Sequence, residues 1–220
     1  MAMRLFRILS AISGIVGVIM LVVSFNINPG PPLNATNAQL AAFARQYFTS
    51  ILWGAWLQAV GPLLIVLFAF AIVCLTDATT RLAGWMTFFG GIILMMVSLT
   101  EITFYFGVLY SNPPITGFIV YNLIHAVQHL YFIVAAPALF IPLGIVIISS
   151  RVLPRIFGYL ALVLGAAFAI LGVVFLDSLV LPVAVQAFAG VQALWWLAAA
   201  IVLIIQAART PGAVPVKVQG

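Results

Sequence analysis

The stretch ILWGAWLQAVGPLLIVLFAFAIVCLTDATTR, residues 51–81, decides how this chain folds. From Ile51 to Leu75 it carries no charged side chain. That run exceeds the roughly 20 residues a helix needs to cross the hydrocarbon core of a bilayer. Lipid offers no partner to backbone N–H and C=O groups, so a run of this kind must be helical. The polar TDATTR ends it, and Arg81 marks the boundary. Two residues interrupt the apolar text. Gln58 is a lone carboxamide, and Pro62 is a kink candidate because it removes a backbone donor from the helix interior.

The same reading extends to the whole chain. Of its 220 residues, 66% are hydrophobic and 5% are charged, whereas soluble domains carry about 25% charged residues. Hydrophobic spans fall at about 6–26, 47–76, 82–109, 117–149, 156–177 and 182–207. Polar or proline-bearing breaks separate them, among them YSNPP, SSRVLPR and DSLVLP. The expected fold class is an all-α polytopic transmembrane helical bundle of six spans, a single domain over residues 1–220. Pro137, inside span four, is a second kink candidate. The N-terminal MAMRLFR has the charge pattern of a signal peptide, but no A-x-A-like cleavage site follows its long apolar stretch, so it reads as a retained first helix.

Basic residues set the expected orientation. With the N-terminus inside, Arg4, Arg7, Arg81, Arg151, Arg155, Arg209 and Lys217 all fall on the cytoplasmic side, and Arg45 alone falls outside. Both termini are then cytoplasmic. The net charge of +5 is scattered singly and forms no nucleic-acid-binding patch. The expected partners are the lipid bilayer and, by composition alone, other membrane subunits or further copies in a homo-oligomer. Cys74 reads as a small buried apolar residue, and a lone cysteine excludes a disulfide framework.

The longest segment between spans is residues 26–46. Its second half, NAQLAAFARQYF, starts a helix with Asn37 as cap, either lying on the membrane surface or extending span two. An internal echo also appears. Arg81, Gly84, Trp85 and Gly91 of span three match Arg155, Gly158, Tyr159 and Gly165 of span five in spacing. Pro62 and Pro137 precede them by nearly equal distances, which suggests that spans two and three repeat as spans four and five.

Residues 149–172, SSRVLPRIFGYLALVLGAAFAILG, resemble the fifth-helix region of small bacterial six-span membrane proteins of the DUF4386 group, whose function is unassigned. The resemblance covers about a quarter of the chain. It implies a bacterial inner-membrane protein and carries over no site residues.

Ionisable residues inside a membrane cost roughly 2.5–3.5 kcal/mol each at the centre and are functional hypotheses by default. Asp77 and Asp177 fall at span ends, but Glu101 lies roughly 12 Å inside the outer end of span three. NLIHAVQH, residues 122–129, holds both histidines of the chain. His125 reaches about the depth of Glu101, and His129 lies one turn deeper. Asn122, His125 and His129 share a helix face by spacing, with Gln128 on its flank. Ser98, Glu101 and Tyr105 repeat that spacing on span three. Ser50, Gly54, Gln58 and Gly61 form a small polar stripe on span two, and Gln186 and Gln192 lie in the outer half of span six. Trp53, Trp56, Trp195 and Trp196 are candidate walls.

The expected centre is Glu101, His125 and His129, surrounded by Asn122, Gln128, Tyr105 and Gln58. Imidazole and carboxylate suit a transition metal, with two histidines at i, i+4 and Glu101 as the third ligand. Haem on one axial histidine or a small amphipathic ligand fits the same residues. A Glu–His couple also suits a proton-coupled transporter of a small solute, and interhelical hydrogen bonding alone suits a structural or accessory subunit of a membrane complex.

Overall fold

In a computed structural model, residues 2–28, 36–110, 114–175 and 183–209 are described. They form α1 (Ala2–Ile27), α2 (Asn37–Gln46), α3 (Phe48–Leu75), α4 (Leu82–Leu109), α5 (Pro114–Leu130), a π-helical turn (Tyr131–Ala135), α6 (Ala136–Ile148), α7 (Arg155–Val174) and α8 (Val183–Arg209). Six helical stretches are long and apolar enough to cross a membrane, with α5, the π turn and α6 forming one of them from Asn122 to Ile148. This is the all-helical architecture of a multi-pass membrane protein. The boundaries follow the hydropathy within a few residues. The breaks at 111–113 and 176–182, and Asp177 with them, lie outside the described residues.

The long helices close a ring. α1 packs on α3, α3 on α4, α4 on α6, α6 on α7, α7 on α8, and α8 returns to α1. Aromatic rings fill the centre. Trp196 packs edge-on against Phe68 at 5.9 Å and lies 5.2 Å from Phe140, while Trp195 lies 5.4 Å from Phe140. Leu63, Leu67, Phe89, Ile92 and Met96 point outward from the bundle.

Helices in lipid gain little from burying apolar surface, so close backbone approach and hydrogen bonds must hold them. A Cβ on Gly17 would stand 2.7 Å from the Gly61 carbonyl oxygen, and one on Gly61 would stand 2.9 Å from that of Gly17. Gly144 and Gly158 repeat this reciprocal contact between α6 and α7, at 2.7 Å each way. Any side chain at these sites would push the pair apart. The glycines of the suspected repeat also behave alike. Gly91 on α4 meets Phe70 and Val66 of α3, and Gly165 on α7 meets Ile141 and Phe140 of α6.

The prolines act through the carbonyls they release. Pro62 leaves α3 unbroken, but it has no N–H for the Gln58 carbonyl one turn earlier. The Ser98 hydroxyl of α4 donates to that carbonyl at 2.9 Å. Pro137 follows immediately after the π turn, inside a helix that runs on without a break from α5. Pro142 lies inside α6 and withholds a donor from the Ala138 carbonyl. Gly90 of α4 packs against that oxygen, so closely that a Cβ would come within 2.2 Å.

Two expectations require correction. The N-cap of α2 is Thr36, not Asn37. Its hydroxyl accepts from the Gln39 N–H and the Gln39 side chain accepts from the Thr36 N–H, a complete capping box. Cys74 is exposed, because its position on α3 turns it to the outer surface.

The Ser98 bond supplies a test. Ser98→Ala is expected to destabilise the protein by about 0.6–1.7 kcal/mol. In a Pro62→Ala background, where residue 62 regains its N–H, the same change is expected to cost almost nothing. Unfolding of the purified protein in detergent, run as a double-mutant cycle, measures the coupling.

Candidate functional site

Glu101 is buried in the packed face of α4. Its carboxylate joins three helices. Gln58 Nε2 of α3 donates to Oε2 at 2.6 Å, and Gln128 Nε2 of α5 donates to Oε1 at 2.8 Å. Each oxygen therefore accepts from a neutral carboxamide. Gln58 is held at both ends, since its backbone carbonyl takes the Ser98 hydroxyl one turn from Glu101 on the same helix. Pro62, Gln58, Ser98 and Glu101 thus form one local arrangement in which a helix defect in α3 keys the acid of α4.

The histidines stand behind Gln128. His125 lies one turn before Gln128 on α5 and is half-buried. His129 Nδ1 lies 2.8 Å from the His125 carbonyl oxygen. A carbonyl only accepts, so Nδ1 carries a proton there. His129 Nε2 is buried and meets no hydrogen-bond partner among the described residues. One turn along, the Tyr131 hydroxyl donates to Gln192 Oε1 of α8, extending the polar column to a fourth helix.

The structure thus joins Gln58, Glu101 and Gln128 by hydrogen bonds, with His125 and His129 on the same stretch of α5 as Gln128. It does not bring Glu101, His125 and His129 together as three ligands. Among the described residues, no group of three His, Cys, Asp or Glu side chains is placed to hold a metal ion. Gln128 stands where a direct Glu–His pair was expected. The inward face of α5 runs through Ile124, Val127 and Gln128, so Asn122 is exposed and the histidines are half-buried. Tyr105 is half-buried on α4. Gly54 and Gly61 turn toward α1, where the Ser24 hydroxyl bonds the Gly54 carbonyl at 2.7 Å. Only Gln58 of that stripe reaches the acid. Trp53 and Trp56 are exposed, and Trp195 and Trp196 belong to the central core. The side chain of Gln186 lies outside the described residues.

Residue-by-residue polarity missed Tyr131 and the part played by Ser98. The signal for Tyr131 was its spacing, three residues beyond Gln128 on the same inward face. For Ser98 it was Pro62, whose missing donor obliges a neighbour to supply one.

α2 flanks the site. It packs against α5 with Leu40 and Ala44 buried, so the interspan segment is a distinct helix that turns at Tyr47 and does not simply extend α3.

No protein-family model, curated protein or solved structure matches this chain.

Because Gln128 and not Asn122 faces the acid, the two positions should respond differently. Gln128→Leu leaves a buried Glu101 oxygen without its donor and is expected to cost about 1–3 kcal/mol. Asn122→Ala is expected to change stability by less than about 0.5 kcal/mol. Thermal unfolding of the two variants in the same detergent makes the comparison.

Proposed function

We propose that this protein is a multi-pass protein of the bacterial inner membrane whose Glu101 network binds a small amphipathic ligand with a positively charged or hydrogen-bond-donating head. The observation that carries this reading is the acid itself. Glu101 is buried among apolar helices, yet both of its hydrogen-bond partners are neutral carboxamides. An ionised carboxylate in that setting needs a positive partner. Among the described residues every arginine lies near a helix end or in the turn between α6 and α7, so the ligand is the natural source. His129 Nε2, buried and without a hydrogen-bond partner among the described residues, is a second polar atom on the same stretch of α5. The half-buried flank formed by His125, Gln128 and His129 gives the approach.

The donor set favours an organic head over a transition metal or haem. Metal sites need converging ligands, typically at least three from the protein, and the carboxylate and the two imidazoles do not form such a group. The orientation rests on the arginines, all of which except Arg45 belong to the end that holds the chain start. With both termini in the cytoplasm, the Glu101 network lies in the outward half of the bundle. The likeness of residues 149–172 to the DUF4386 group supports the bacterial inner-membrane setting.

A structural role is the second reading, and one observation favours it. The Gln58 and Gln128 bonds satisfy Glu101 within the bundle and link α3, α4 and α5. Glu101→Gln separates the two. It keeps the shape and some hydrogen bonding while removing the charge. The purified protein, titrated with an amphipathic amine and followed by thermal stabilisation and tryptophan fluorescence, is expected to bind saturably. Glu101→Gln is expected to abolish that binding with little change in basal stability, and His129→Ala to weaken it. Absence of saturable binding by the wild type, together with a large loss of stability in Glu101→Gln, would overturn the ligand reading in favour of the structural one.

A further inference from the structure

The opposite end of the bundle carries a different arrangement. A cleft opens between the start of α1, the end of α3, the turn after α6 and the last turns of α8. Arg7, Asp77 and Arg151 line it, with Ser150 beside them and Leu75 and Val152 as apolar walls. None of the three charged side chains makes an ion pair or side-chain hydrogen bond among the described residues. Arg7 is the most constrained of them: its Nε is buried and has no hydrogen-bond partner there. A guanidinium only donates, so this atom needs an acceptor that the described part of the protein does not provide.

We propose that this cleft binds the phosphodiester headgroup of an anionic membrane phospholipid. The charge balance selects the class. Two guanidinium groups against one carboxylate leave one net positive charge, which matches the single negative charge of a phosphodiester. A free phosphate or a phosphomonoester carries more than that near neutral pH and meets the Asp77 carboxylate as a repulsive neighbour. Arginine suits phosphate oxygens because its fork offers paired donors. The cleft also lies where a headgroup would be. Its residues belong to helix ends, and the arginine-rich end of a membrane bundle faces the anionic leaflet. Leu75 and Val152 receive the less polar glycerol region.

Asp77 is held in place by the backbone. The chain leaves α3 through a Schellman turn in which Ala78 N–H bonds the Val73 carbonyl at 3.1 Å and Asp77 N–H bonds that of Cys74 at 3.2 Å. Asp77 occupies the left-handed position with φ 50°, where glycine is the usual residue. The turn therefore keeps a carboxylate at the cleft against the local preference.

The test uses the full chain in a neutral detergent, with thermal unfolding followed during titration with phosphatidylglycerol, phosphatidylcholine or inorganic phosphate. Phosphatidylglycerol is expected to raise the midpoint saturably, while the zwitterionic lipid and inorganic phosphate do not. Arg151→Gln and Arg7→Gln are each expected to shift half-saturation by about fivefold. Arg151 is exposed, so its substitution leaves the fold intact and decides the matter if Arg7→Gln fails to fold. Asp77→Asn, which the left-handed turn accepts, is expected to retain phosphatidylglycerol binding. Equal stabilisation by phosphatidylglycerol and phosphatidylcholine sinks the proposal. Stabilisation by inorganic phosphate at least as strong as by phosphatidylglycerol reassigns the cleft to free phosphate. Undiminished phosphatidylglycerol binding in Arg151→Gln also overturns it.

Discussion

The carbonyl that Pro62 releases is the constraint on which the site depends. In water such a group would be solvated. In a bundle of apolar helices it must find a donor in the protein or remain an orphan costing several kcal/mol. Ser98 supplies that donor, and doing so fixes the axial register of α4 against α3. Glu101 lies one turn beyond Ser98, so the same register delivers its carboxylate to the Gln58 side chain. The glycine contacts between α1 and α3 and between α6 and α7 bring the backbones close but are tolerant of small sliding. The hydrogen bond to the freed carbonyl is directional and is not.

Pro142 shows the same economy on the other side of α4. The Ala138 carbonyl, to which Pro142 cannot donate, faces Gly90, where a Cα–H group approaches in place of a true donor, a weaker contact worth about 0.5–1 kcal/mol. α4 is thus gripped between two proline-bearing helices, by a hydroxyl on one side and a bare backbone on the other. Function and packing are joined here: the acid that a ligand would meet is aimed by the contacts that assemble the bundle.

Much of this was legible in the sequence, for one reason. Hydrophobic length is a property of single segments, so the spans, their ends and the all-helical class follow from local text. Facing directions do not. In a soluble helix the contrast between wet and dry sides shows which face is inward. Here both sides are apolar, and the polar letters were the only compass. That compass picked out Glu101 and Gln58, which are buried, but it placed Asn122 with the histidines when the inward face runs through Ile124, Val127 and Gln128. It also took Trp195 and Trp196 for site walls when their size suited the centre of the ring. The cap of α2 was misplaced by one residue because Thr36 and Asn37 are both good caps, and only Gln39 three residues after Thr36 distinguishes them.

The π turn from Tyr131 to Ala135 has a further consequence. Closing one loop of helix with an extra residue offsets everything beyond it by about 100° relative to an uninterrupted α-helix. The half after the joint, Ala136–Ile148, is locked by Phe140 and Gly144 into the core and α7. The half before it, Pro114–Leu130, therefore takes its angular aim from these five residues. They work as an indexing joint: adding or removing a single residue there would turn Gln128 and both histidines together about the helix axis, while Ala136–Ile148 stayed seated.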